Sequence, residues 1–221
     1  MSGTKVYSEE FGSPTIALWE ILSVVISCLI AEWVVLGFYG RNHWLLLVPA
    51  FFALALMFIS HLVHRETLRE LGFRTDNFFA ALKLVAVPTL AALVIMFLGG
   101  RLLRQTPGIS DYFRVRWLIV PFWALFQQYA LQGFIHRRAQ LVFRSKLVCV
   151  MFVALVFALL HLPNPMLTIF TFLGGLVWAY VYSARPNLLA LAISHSIASI
   201  TLALTLATDA NGLRVGFKYF G

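Results

Sequence analysis

The sequence predicts an all-α fold: a polytopic transmembrane helical bundle of about seven spans, within a range of six to eight. Three observations carry this expectation. The 221 residues are 61% hydrophobic and only 12% charged, about half the ~25% charge of a soluble domain. Mean hydropathy is +0.85. The apolar residues also gather into runs of span length, divided by short basic segments.

The runs cover about 14–38, 44–63, 79–99, 117–135, 147–162, 166–182 and 187–208. The fifth is short, which suits a span tilted less than its neighbours or one lying partly in the interface. Pro163 and Pro165 end it. The first 13 residues are polar. They lack the basic region and short apolar core of a cleavable leader, so the first run is expected to span and remain. The expected organisation is a polar segment at 1–13, a transmembrane domain at 14–208 with its motif-bearing core at about 64–200, and a C-terminal tail at 209–221.

Residues 64–78 read as a short amphipathic helix and a turn. Leu68, Leu71 and Phe73 are expected to face lipid, and Arg65, Glu66, Arg69 and Glu70 to face water. Residues 100–116 and 136–146, rich in arginine, are expected to be exposed loops. With seven spans, the N-terminus and the segments 64–78, 136–146 and 183–186 share one side, which carries nine Lys and Arg against seven on the other. That bias favours an inside N-terminus.

The net charge of +8 sits in these connections, where Lys and Arg meet lipid headgroups. It does not indicate nucleic-acid binding. Cys28 and Cys149 lie inside apolar runs without disulfide or metal spacing and are expected to pack. No internal repeat of the kind that marks transporters is present.

Lipid offers no hydrogen bonds, so polar side chains inside the runs are expected to face the bundle interior and to mark function. They are Glu20, Glu32, Lys83, Gln127, Gln128, Gln132, His161 and His195. Gln128 and Gln132 are i and i+4 and share a helix face, with Gln127 at its border and His136 one turn further on. A lone Gln is interhelical glue; three within six residues suggest a polar cavity. Ser199 lies one turn beyond His195. Glu20 and Glu32 stand ~18 Å apart along a helix, too far to act as a pair, and Glu20 is expected near an interface in contact with water.

Taken in order, these positions resemble the motifs of the CPBP family, which includes CAAX proteases and bacteriocin-processing enzymes. Phe126-Gln127-Gln128-Tyr129-Ala130-Leu131-Gln132-Gly133-Phe134 is similar to the EExxxR motif, which is usually followed by Gly. Phe157-Ala158-Leu159-Leu160-His161 matches FxxxH. His195-Ser196-Ile197-Ala198-Ser199 resembles HxxxN. Leu68-Arg69-Glu70-Leu71-Gly72-Phe73-Arg74 is similar to the linker before the core. The resemblance implies an intramembrane endopeptidase in which Glu activates water while His and Asn stabilise the oxyanion. The site it implies is Gln127, Gln128, Gln132, His161, His195 and Ser199, with no cofactor and no metal. The partners it implies are membrane lipids and a membrane-embedded or lipidated peptide, in a bacterial or archaeal cell membrane.

This chain departs from the pattern where the chemistry is centred. Both Glu positions hold Gln, the Arg position holds Gln132, and Ser199 replaces Asn. An amide is no general base. The three changes are electrostatically coherent, because deleting both carboxylates would strand a buried Arg. One reading is an enzyme with a displaced base, drawn from His161, His195 or Glu32. Another is a catalytically inactive relative that binds a helix or peptide as a scaffold, chaperone or regulator. A zinc site on His136, His161 and His195 is a third.

Overall fold

The computed structural model describes residues 13–38, 43–103, 118–206 and 213–220. Helix α1 spans Pro14–Phe38. It starts where the Ser13 side chain accepts from the Ile16 amide and Pro14 supplies its fixed φ at the first helical position. Residues Ile30–Val35 form a π-helical stretch within it. Helix α2 is His43–Val63. Helix α3, Leu68–Leu71, is one turn closed by a Thr67/Glu70 capping box and stopped by Gly72 at φ +101°.

Helix α4 is Phe78–Leu102. Helix α5 runs continuously through Val120–Gln128, a π-helical stretch Tyr129–His136, and Arg137–Val142. Helix α6 is Lys146–Leu159, α7 is Pro165–Ala184 and α8 is Leu188–Thr205. Their N-termini are capped by Ser145, Asn164 and Asn187. Each cap satisfies one amide that the helix cannot. A 3₁₀ turn at Gly216–Tyr219 follows.

Five of these helices, α1, α2, α4, α7 and α8, are long and apolar enough to cross a membrane. With α5 and α6 they make seven rungs. Large apolar side chains project outward from them, among them Phe51, Phe58, Val87, Leu90 and Ile95. In water that surface would be a liability; in lipid it is the expected exterior. The molecule is an all-α, multi-pass integral membrane protein.

One end of the bundle is tied by backbone carbonyls. The Tyr182 hydroxyl donates to Leu71 O, the Leu188 amide to Gly72 O, and the Asn187 side chain to Arg74 O. At the other end the Gly216 amide donates to Leu162 O, and Asn164 donates to Arg214 O. Residues 213–220 thereby lie between the α6–α7 corner and the π-helical stretch of α1, where a Cβ on Gly216 would sit 2.7 Å from Glu32 O. Helices α6 and α7 approach closely at Gly175, where a Cβ would meet the Ala154 Cα at 2.9 Å. Small residues permit such contacts between membrane helices. The core packs Ile21, Val24, Met57, Phe134, Val153 and Leu191.

Several expectations fail here. Residues 136–146 are not an exposed loop: α5 continues to Val142, and Arg138 is 1% exposed. Leu71 packs into the core instead of facing lipid, because its helix is drawn in by Tyr182. Glu20 is held by Arg138, 2.8 Å away, rather than by water. Lys83 lies exposed near the start of α4, not in the interior, where its long stem can carry the ammonium to the interface. Most of the arginine-rich segment 100–116 falls outside the described residues, as do 1–12.

Candidate functional site

Three motif-bearing segments, α5, the end of α6 and α8, bring polar residues together. Gln128 ends the regular first part of α5, and its Nε2 donates to His195 Nδ1 on α8 at 3.1 Å. Gln128 is fully buried and His195 is 5% exposed. Phe157 on α6 packs edge-on against His195 at 5.7 Å between ring centroids and against His161 at 4.8 Å. Trp178 on α7 stacks on the His195 ring at 4.3 Å. The close crossing at Gly175 and Ala154 sits one turn from Trp178 and Phe157, and it lets those two rings meet at 6.0 Å.

The stacked indole is itself fixed. Trp178 Nε1 donates to Ser194 Oγ at 3.0 Å, and Ser194 lies 2.7 Å from Thr89 Oγ1, which donates to Val85 O. Thr89 spends its only proton on that carbonyl, so Ser194 is the donor between the two hydroxyls. The chain from indole to backbone is fully satisfied, as a low-dielectric interior requires. His161, in the turn just past α6, donates from Nδ1 to Phe157 O at 2.7 Å, one turn back along the chain.

A second polar group lies further along α5. His136 Nδ1 donates to Gln132 Oε1 at 2.9 Å, and Ser183 Oγ lies 3.0 Å from His136 Nε2. The Ser183 hydroxyl is also 2.9 Å from Ala179 O, so one proton serves two acceptors. Gln128 Oε1 and Gln132 Nε2 are enclosed without a hydrogen-bond partner. One is an acceptor and the other a donor, a single helical turn apart.

Of the positions the motifs single out, Gln128, His161 and His195 therefore converge around Phe157. Gln132 faces His136 instead. Gln127 is half-buried beside Gln128, and no hydrogen bond among the described residues ties it or Ser199 to the cluster. Glu32 sits on the π-helical stretch of α1 against Gly216, with Oε2 enclosed and unpartnered. His136 is occupied by Gln132 and Ser183, so the three histidines of a zinc site are not assembled. Among the described residues no group of three His, Cys, Asp or Glu is placed to hold a metal.

The largest buried charge lies elsewhere and was not anticipated. Arg138 donates from Nη1 and Nη2 to the two carboxylate oxygens of Glu66 at 3.0 and 2.8 Å, and from Nε and Nη2 to Ser60 Oγ at 3.1 and 2.8 Å. Glu66 also accepts from Arg137 Nε at 2.7 Å and from His61 Nδ1 at 2.6 Å. Burial pushes the Glu66 carboxyl up, but the hydrogen bonds from His61, Arg138 and Arg137 outweigh it and hold it well below the ordinary carboxylate range. A cleft of about 300 Å³ opens beside this cluster. One signal was present in the sequence: Glu20, inside an apolar run, needs a buried cation.

A family model described as type II CAAX prenyl endopeptidase Rce1-like matches residues 111–201. No curated protein and no solved structure matches the chain. The matched residues include α5, α6 and α7 and most of α8, with Gln128, Phe157, His161, Trp178 and His195. Over this segment the chain is similar to the type II CAAX prenyl endopeptidase family.

Proposed function

We propose that this CAAX-protease-like membrane protein hydrolyses a peptide bond of a lipidated or membrane-embedded substrate, at a site that contains no glutamate. The observation that carries the proposal is the Gln128–His195 hydrogen bond beside His161, with Phe157 touching both rings. A site abandoned by function has no reason to keep two histidines and an amide gathered around one aromatic ring. Preorganised donors aimed at developing charge are the largest single contribution in many enzymes, and this cluster retains donors. Gln127 and Gln128 then position water or the substrate carbonyl. Gln132 supports the α5 face from behind, and Ser199 offers a hydroxyl where the family pattern has Asn.

The test is incubation of purified protein in proteoliposomes with farnesylated and unmodified C-terminal peptides, and with a peptide carrying a transmembrane segment. Mass spectrometry should find cleavage of at least one, lost in His161→Ala and His195→Ala. Absence of cleavage across the panel, or cleavage indifferent to both substitutions, sinks the reading.

The Gln pair itself favours a second reading, a catalytically inactive binder of a membrane helix or peptide. A photo-crosslinker at Gln127 would then capture intact partner chains, with no shortened products.

A further inference from the structure

We propose that the cleft beside Arg138 is a phospholipid site. It takes the phosphate of an anionic lipid with a hydroxylated headgroup, and Arg65 is its main contact. The inference does not depend on the peptidase reading, because none of the residues lining the cleft belongs to the Gln128–His195 cluster.

The backbone at Arg65 carries the argument. Helix α2 ends in a pair of backbone bonds: the Arg65 amide donates to Leu62 O at 3.1 Å and the Glu66 amide to His61 O at 3.0 Å. That closure needs a left-handed residue, and Arg65 supplies it at φ +53°. Glycine is the usual occupant of such a position, and a residue with a Cβ is strained there. At the end of α3 the chain meets the same requirement with Gly72. An arginine held in a glycine position, at a cost to the fold, is held there for its side chain. That side chain is exposed, lines the cleft, and makes no ion pair or hydrogen bond among the described residues.

The other charges around the cleft are largely spent. Glu66 accepts from Arg138, Arg137 and His61. Glu70 Oε2 accepts from the Thr67 amide and hydroxyl. Arg137 gives Nε to Glu66 and Nη1 to Glu70 O, which leaves Nη2. The groups still open to the cleft include the Arg65 guanidinium, Arg137 Nη2, the Gln140 amide and Glu70 Oε1. Two guanidinium groups suit a phosphate. A carboxylate beside them selects what the phosphate carries: Glu70 repels a second anion and accepts from a headgroup hydroxyl.

Position makes the ligand a lipid. Helix α2 ends at Val63 and α5 at Val142, so the cleft sits where these spans leave hydrocarbon. Leu62, Leu68 and Leu141 are exposed around it and give acyl chains an apolar rim beside a polar floor. Arg69, Arg74, Arg144 and Arg185 lie at the same end of the bundle, where such charge concentrates anionic lipid.

The test uses the full chain in detergent. Dioleoyl phosphatidylglycerol, dioleoyl phosphatidylcholine, dioleoyl phosphatidylethanolamine and soluble glycerol 3-phosphate are titrated separately. Native mass spectrometry counts what binds, and the melting temperature is read alongside. Phosphatidylglycerol should bind as one copy, about tenfold tighter than any of the others. Arg65→Gly should weaken that binding about tenfold. Its lipid-free melting temperature should hold or rise by up to about 4 °C, because the left-handed strain is gone. Arg144→Gln, outside the cleft, should change binding by less than about threefold. An equal loss in Arg144→Gln would reduce the effect to general surface charge and overturn the site. So would a clear fall in the lipid-free melting temperature of Arg65→Gly, which would mean that Arg65 serves the fold. Glycerol 3-phosphate binding as tightly as the lipid refutes the lipid source, and a preference for phosphatidylethanolamine refutes the headgroup.

Discussion

Replacing Arg138 with Met should cost more stability than any surface substitution in this protein, and the cost should shrink in acid. Arg138 is 1% exposed and lies among Glu66, Glu20 and Ser60. The side chains of Glu66 and Glu20 are 8% and 14% exposed. Met fills much of the volume and removes the cation. Glu66 keeps Arg137 and His61, but Glu20 keeps only His64, 3.8 Å away. Breaking a buried pair on one side costs about 3–5 kcal/mol. At about 2–4 °C per kcal/mol for a chain of this length, the melting temperature in detergent should fall by about 6–20 °C. Adding Glu20→Gln and Glu66→Gln removes the stranded charge and should recover most of the loss.

The pH sign is fixed by Glu66. Its carboxyl is held low in the folded state, so it stabilises the fold above its unfolded pKa. That contribution is lost as pH falls through the depressed folded value. Without Arg138 the depression weakens and protonation relieves the strain, so the gap between variant and wild type should narrow from pH 7 to pH 4. A single variant within 1 kcal/mol of wild type, or a triple variant no better than the single, would show that the cluster is solvated and refute the reasoning.

Other outcomes follow from the same geometry. Gly175→Leu has no room against Ala154. It should destabilise the protein by about 1–3 kcal/mol and push Trp178 away from Phe157, read as a change in tryptophan emission together with lost cleavage. Trp178→Ala removes the ring stacked on His195 and the indole N–H that Ser194 accepts from. It should lower the melting temperature by an amount equivalent to ~3–5 kcal/mol and broaden the His195 ¹⁵N resonances. Gln128→Glu introduces an acceptor opposite His195 Nδ1, so it should move the His195 proton from Nε2 to Nδ1. ¹⁵N NMR of labelled histidine would report the position of that proton.

The helices were legible because hydropathy is a property of each residue and survives any packing. That Gln128 and His195 would face the bundle interior was legible because each is a polar residue inside an apolar run. What escaped the sequence was anything set by two helices at once. Trp178 reads as one more apolar residue in a span until Gly175 and Ala154 bring its helix against Phe157. Arg138 reads as a loop arginine because the apolar run of α5 ends before it, yet the helix does not. Leu71 reads as lipid-facing from its own amphipathic turn, and only the reach of Tyr182 draws that turn inward. Glu32 remained open in the sequence as a possible base; the fold sets it beside Gly216, on a helix outside the motif-bearing set.

The distribution of charge explains why a glutamate-free motif can coexist with so much ionic structure. Arg138, Glu66, Glu20, Arg137 and His61 lie near the end of the bundle where α2, α5 and the 64–77 connection meet, and each of their guanidinium and carboxylate groups finds a counter-charge. About ten residues back along α5, ~15 Å toward the other end, the side chains are amides, imidazoles and aromatic rings. Charge that deep is expensive without a partner, and a carboxylate at Gln128 would have needed a cation at Gln132. With both positions neutral, the middle of the bundle needs no ion pair.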